Sequence, residues 1–209
     1  MISTLDLPAV LRAGLIFLHL LFFSAAVCAI IMGDVALFAK RRVNAILLRL
    51  SARWVTICLS GLWLSGAAIV GLDTHFDPEL IAQNGKLLTK LTVVLLLTLN
   101  GVLLHRFAFP QLLSPQPNVI QSALAPALLG GASAATWGYA AFIGVAKPFS
   151  PLGYGGLMTL YAGVLIVALI VAGVFIRPRL ARQLSPARAN RVIPSSFAEN
   201  IAMQADAWA

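Results

Sequence analysis

GKLLTKLTVVLLLTLNGVLLHR, residues 85–106, is an apolar run long enough to cross a bilayer as a helix, and it carries Lys90, Asn100 and His105. Polar groups are costly in hydrocarbon and face protein or water, so these three side chains need partners elsewhere in the chain. The first apolar segment offers them. His19 and Asp34 are fifteen residues apart there, the same separation as Lys90 and His105. Fifteen residues make a little over four turns, so each pair stays within about 60° of one helix face and spans roughly 22 Å. Two such helices, parallel and in contact, are expected to meet in two layers, His19 with Lys90 and Asp34 with His105.

Composition sets the class. Of 209 residues 60% are hydrophobic and 11% charged, and the mean hydropathy of +0.91 excludes an ordinary soluble domain. The expected fold is all-α, an integral membrane bundle of five transmembrane helices at about 13–39, 54–72, 86–109, 119–145 and 154–176, followed by a basic tail, 177–209. The net charge of +8 sits mostly in short blocks beside apolar spans, which points to membrane topology and to anionic lipid headgroups, not to nucleic acid. Residues 40–53 hold five basic side chains and no acid, and five arginines follow the last span. Both blocks belong inside by the positive-inside rule, giving an N-terminus outside and a C-terminus in the cytoplasm.

Local signals refine this. Pro8 suits a first helical turn. An Ala-x-x-Ala pattern ending at Ala29 imitates a signal-peptidase site, but the basic cluster follows the apolar run instead of preceding it, as in an uncleaved span. Residues 45–50 are read either as a short interfacial helix or as a loop. Ser60, Gly61, Ser65, Gly66 and Gly71 in the second span, and Gly130, Ala134 and Gly138 beside Gly131 and Ala135 in the fourth, are small residues for close helix packing. The third span is expected to stop before Pro110, with a Pro-rich turn to residue 117, and Pro126 to kink the fourth. Residues 147–156 read as an outer loop. In the tail, Ser196 with Glu199 resembles a capping box, and Phe197, Ile201 and Trp208 share one face of a short helix, with disorder as the alternative.

Cys28 and Cys58 are far apart and form no CxxC, so they read as packing residues. The loop after the second span alternates Asp73, His75, Asp77 and Glu79. Its imidazole and carboxylates form a metal site on one reading. On the other, Asp77 before Pro78 simply starts a helix.

Three functions use the two polar layers. His19 ligates a b-type haem or touches a porphyrin, with Lys90 as second ligand or carboxylate partner and Asn100 nearby. A haem held by His19 and His105 together does not fit, since their levels differ by about 22 Å in this arrangement. Alternatively the polar residues line a metal-ion route fed by Asp73, His75 and Asp77. In the third, the chain is a cofactor-free scaffold, a homo-oligomer or a subunit of a membrane complex. No nucleophile with a base and no phosphate loop is present to define a reaction.

The segment 85–106 resembles the glycine, basic residue, apolar pair and Lys-Leu core of the copper-resistance D (CopD) family of bacterial inner-membrane proteins. The first span, HLLFFSAAVCAIIMGDVALF, taken with Lys90, is similar to the related HemJ-type protoporphyrinogen oxidases, whose first helix has a His and whose third has a Lys. The resemblance covers about residues 11–106 and differs at Asn100, where a Tyr-His pair often stands. It implies a multi-pass protein of the bacterial inner membrane, a haem or porphyrin site at His19 and Lys90 on the HemJ-type pattern, and copper import or tolerance on the CopD pattern.

Overall fold

The structure is a computed structural model that describes residues 6–39, 43–113 and 118–184. Among them there is no strand, and five helical stretches are long and apolar enough to cross a membrane: Leu7–Phe38, Ala45–Thr74, Gly85–Leu113, Val119–Val145 and Lys147–Leu184. Residues 40–42, part of the first basic block, and 114–117 lie outside the described residues, as does the tail from 185 with Arg188, Arg191, Ser196, Phe197, Glu199, Ile201 and Trp208.

Side-chain caps or proline start the first four helices. Helix α1, Leu7–Phe38, has Pro8 in its first turn. Asn44 accepts from the Leu47 N–H at the start of α2, Ala45–Thr74, and Asp77 from the Glu79 N–H at the start of α3, Pro78–Gln83. Asn84 accepts from the Leu87 N–H at the start of α4, Gly85–Leu103. Each cap satisfies a donor that has no partner in the first turn. Residues 45–50 are therefore neither a separate interfacial helix nor a loop, because the Asn44 cap makes them the opening turns of α2. At the other end of α2, His75 and Phe76 take left-handed conformations (φ 51° and 59°), and the Phe76 ring folds over Gly71. A Cβ at Gly71 would lie 2.8 Å from that ring, so a larger residue there would push the exposed Phe76 side chain aside.

The first two long helices form an antiparallel hairpin whose register is readable from its contacts. Residues 12 and 73, 19 and 65, 22 and 61, and 33 and 51 meet across it, and the two numbers in each pair total 83 to 85. The paired residue numbers thus reflect about 42. Small residues permit the approach: a Cβ at Gly61 would lie 2.6 Å from the Phe22 ring, and one at Gly33 2.6 Å from Ser51 Oγ. Ala26 and Ala29 of the peptidase-like pattern are buried in this seam, where Ser51 donates to the Ala29 carbonyl at 2.7 Å.

Between α2 and α4 the Trp63 indole donates to Thr98 Oγ1 at 2.9 Å, and Thr56 Oγ1 lies 3.5 Å from His105 Nε2. Those pairs, 63 with 98 and 56 with 105, both total 161, which is a second antiparallel register. Helix α1 packs chiefly on α2 and meets α4 only around a shared cluster of Ala26, Cys58, Leu62, Leu97 and Trp137. The first and third spans are therefore not the side-by-side pair expected from their equal spacing. Helix α2 mediates between them.

The third, fourth and fifth spans carry proline near the end opposite the Arg12–Asp73 contact. A π-helical turn, Leu104–Ala108, leads from α4 into α5, Phe109–Leu113, and the helix continues through Pro110 instead of stopping before it. Proline lacks an N–H and crowds the carbonyl four residues back; a widened turn relieves both problems without ending the helix. The same device recurs in the fifth span. There α8, Gly153–Val171, passes through a π turn, Ala172–Ile176, into α9, Arg177–Leu184, which holds Pro178. In both cases the π turn ends two residues before the proline. The first eight tail residues are accordingly helical. In the fourth span, α6, Val119–Ser122, is separated by Ala123 from α7, Leu124–Val145, three residues before Pro126. A 3-10 turn, Lys147–Leu152, replaces the expected loop before α8.

Helices α4, α7 and α8 share a core of Val93, Tyr139, Ile143, Leu157 and Tyr161. Of the two small-residue stripes on α7, one is used: Gly131 faces Ala168 and Ala172, and a Cβ there would lie 2.7 Å from the Ala172 Cβ. The other, Gly130, Ala134 and Gly138, is exposed, with nothing near either glycine. Phe17, Leu64, Leu95, Val167 and Phe175 are also exposed, the pattern of an apolar surface in contact with lipid.

Candidate functional site

His19 is a polar side chain held between the first two spans. Its Nδ1 lies 2.8 Å from Ser65 Oγ on α2, and its ring edge is next to Gly66, where a Cβ would be 3.5 Å from Cε1. Ser65 is buried, and its Oγ is also 2.7 Å from the Gly61 carbonyl, the usual back-bond of a helical serine. The imidazole is half-buried, with one nitrogen engaged and one edge toward the bundle surface.

Lys90 belongs to the same end of the bundle but not to the same level. The two registers place His19 opposite residue 65 of α2 and Lys90 opposite residue 71, six residues or about 9 Å farther along the axis. That puts Lys90 level with Arg12 and Asp73. Its ammonium is close enough for its charge to act on both His19 and Asp73, while among the described residues no hydrogen bond joins it to His19. Arg12 holds Asp73 through two bonds, Nε at 2.7 Å and a terminal nitrogen at 3.0 Å. Of these charges only Lys90 acts on His19: Arg12 is held by Asp73, which also acts on Lys90, and Lys86 lies a turn farther along α4.

The second layer is displaced in the same way. Asp34 falls opposite residue 50 of α2 and His105 opposite residue 56, again about 9 Å apart in height. His105 reaches Thr56, and its ring stands edge-on to Phe109 at 4.9 Å. Asp34 is exposed and has no hydrogen bond or ion pair among the described residues. Asn100, expected beside His19, turns to α7 instead: it is buried and donates from Nδ2 to the Leu129 carbonyl at 3.1 Å.

In the acidic loop, Asp73 is occupied by Arg12 and Asp77 by its cap, and His75 is exposed in the turn that ends α2. Among the described residues no group of three or more His, Cys, Asp and Glu side chains is placed to hold a metal ion. His19 itself suits a single-ligand role, since an imidazole with its Nδ1 hydrogen-bonded is the usual form of a metal-bound histidine. Ser65 is the member of the site that the sequence reading missed. It is 46 positions from His19, among residues assigned only to packing.

Comparison of the chain with family models, with curated proteins and with solved structures gives no match.

Proposed function

We propose that this is a five-pass protein of the bacterial inner membrane, N-terminus outside, that binds a haem-type or porphyrin cofactor at His19 in the manner its CopD and HemJ resemblance implies. The single observation that carries the reading is the His19–Ser65 contact with the Lys90 ammonium near enough to act on the imidazole. A nearby ammonium disfavours an isolated metal ion at the imidazole, whereas a metal-bearing ligand with acidic arms gains from it. The height offset of about 9 Å favours Lys90 as partner of such an acidic arm over Lys90 as second ligand to the same metal atom, because a metal holds its nitrogen ligands about 2 Å away. Bound there, the cofactor would supply redox chemistry; the chain supplies the imidazole, the Lys90 ammonium and an apolar surround.

A second reading, a cofactor-free subunit of a larger membrane complex or a homo-oligomer, draws on the open Gly130, Ala134 and Gly138 face of α7. The visible spectrum of detergent-purified protein separates the two. A haem-type band that His19→Ala removes and His105→Ala keeps supports cofactor binding at His19. A wild-type protein without pigment, even after incubation with haem, supports the subunit reading.

A further inference from the structure

A serine hydroxyl has one proton to donate, and Ser65 Oγ has two short contacts that compete for it: 2.7 Å to the Gly61 carbonyl and 2.8 Å to His19 Nδ1. The Leu62 carbonyl, at 3.3 Å, is a weaker third. A carbonyl oxygen only accepts. If the Ser65 proton pointed at His19, the hydroxyl lone pairs would face the Gly61 oxygen at 2.7 Å, a repulsive contact in a buried place where no solvent relieves it. One arrangement satisfies both contacts: His19 Nδ1–H donates to Ser65 Oγ, and Ser65 donates to Gly61. A neutral imidazole with its proton on Nδ1 carries its lone pair on Nε2.

We propose that Ser65 is a positioning residue that fixes His19 as the Nδ1–H tautomer and leaves the Nε2 electron pair open, so that the site refuses a hydrogen-bond acceptor and takes a hydrogen-bond donor or, as the ligand proposed here, a Lewis-acidic metal centre. The ligand half of this statement rests on the function proposed above; the tautomer half does not. The relay from imidazole to hydroxyl to backbone carbonyl does the work that a carboxylate or carbonyl more often does behind a metal-bound histidine: it fixes the ring and raises the basicity of the free nitrogen.

The test is nitrogen NMR of cofactor-free protein labelled at histidine, in detergent micelles above neutral pH. Only His19, His75 and His105 contribute, so the three signals are assigned by single substitution. The expected result is a protonated Nδ1 and a bare Nε2 at His19, a shift toward the Nε2–H form in Ser65→Ala, and the wild-type pattern in Ser65→Thr. With haem as the probe, Ser65→Ala is expected to bind about 10–100-fold more weakly and Ser65→Thr nearly as wild type. A wild-type His19 protonated on Nε2, or a tautomer unchanged by Ser65→Ala, overturns the assignment. A wild-type protein that shows the Nδ1–H form yet takes up no haem overturns the ligand half and leaves the tautomer standing.

Discussion

Arg12 in the early turns of α1 and Asp73 in the last turn of α2 form a two-bond ion pair, 2.7 and 3.0 Å, that closes the first hairpin at the end opposite its turn. The planar guanidinium matches the carboxylate at both oxygens, which fixes register as well as distance. Both side chains are substantially exposed, so the pair aligns the helices more than it stabilises them. Arg12→Gln or Asp73→Asn is expected to lower the melting temperature of the detergent-solubilised protein slightly. The exchanged pair, Arg12→Asp with Asp73→Arg, is expected to recover most of the loss at low salt. A double exchange no better than the sum of the single changes would deny the pair its aligning role.

Adjacent glycines on α7 should respond oppositely to the same substitution. Gly131→Ala drives a methyl to 2.7 Å from the Ala172 Cβ and 3.1 Å from the Ala168 carbonyl, which do not swing away. A loss of about 1–3 kcal/mol is expected. Gly130→Ala meets nothing and should be neutral or stabilising by up to about 1 kcal/mol, from helix propensity alone. Unfolding midpoints of the two variants under identical conditions check the contrast, and equal shifts would contradict it.

Removing a proline should remove its π turn. Pro110→Ala restores an N–H and clears the carbonyl of residue 106, so the helix through 104–108 is expected to tighten to regular α geometry. Pro178→Ala should do the same at 172–176. Backbone chemical shifts over those five residues read the change. A π turn that persists in both variants would mean that packing around the buried Ala108 and Ala172, and not proline, sets it.

Asn100 is a structural residue on this geometry. Asn100→Leu is expected to cost about 0.6–2 kcal/mol through loss of the bond to the Leu129 carbonyl. It should leave the His19 imidazole signals and any His19-dependent absorbance unchanged. A spectrum altered as strongly as by His19→Ala would return Asn100 to the cofactor site.

The all-helical fold and its five long apolar stretches were legible because burial in lipid and in protein both demand continuous apolar runs. Helix ends were less so. Pro110 suggests a stop, and the structure instead widens the turn before it; whether a helix breaks or bulges at proline depends on packing that the local sequence does not contain. The site was half legible. His19 and Lys90 stand out as polar residues in apolar spans, but equal spacing on two helices says nothing about their relative height. That height follows from the two turns, since reflecting residue 19 about residue 42 lands on Ser65 and reflecting Lys90 through the second register lands on Gly71. The loop expected over residues 40–53 would have reflected residue 19 onto about residue 74; α2 starts instead at Ala45, and that early start brings Ser65 to His19.

The hairpin register carries both the site and the tautomer, and a cross-link measures it directly. A Cβ at position 33 would lie 3.6 Å from the Ser51 Cβ, inside the range a disulfide requires. In a background with Cys28→Ser and Cys58→Ala, the pair Gly33→Cys with Ser51→Cys should oxidise readily in membranes under a mild oxidant. Pairs one helical turn away, position 33 with 47 or with 55, should remain reduced. Cross-linking at 33 and 47 or at 33 and 55 in preference to 33 and 51 would shift His19 off Ser65 and contradict the register on which the proposed site stands.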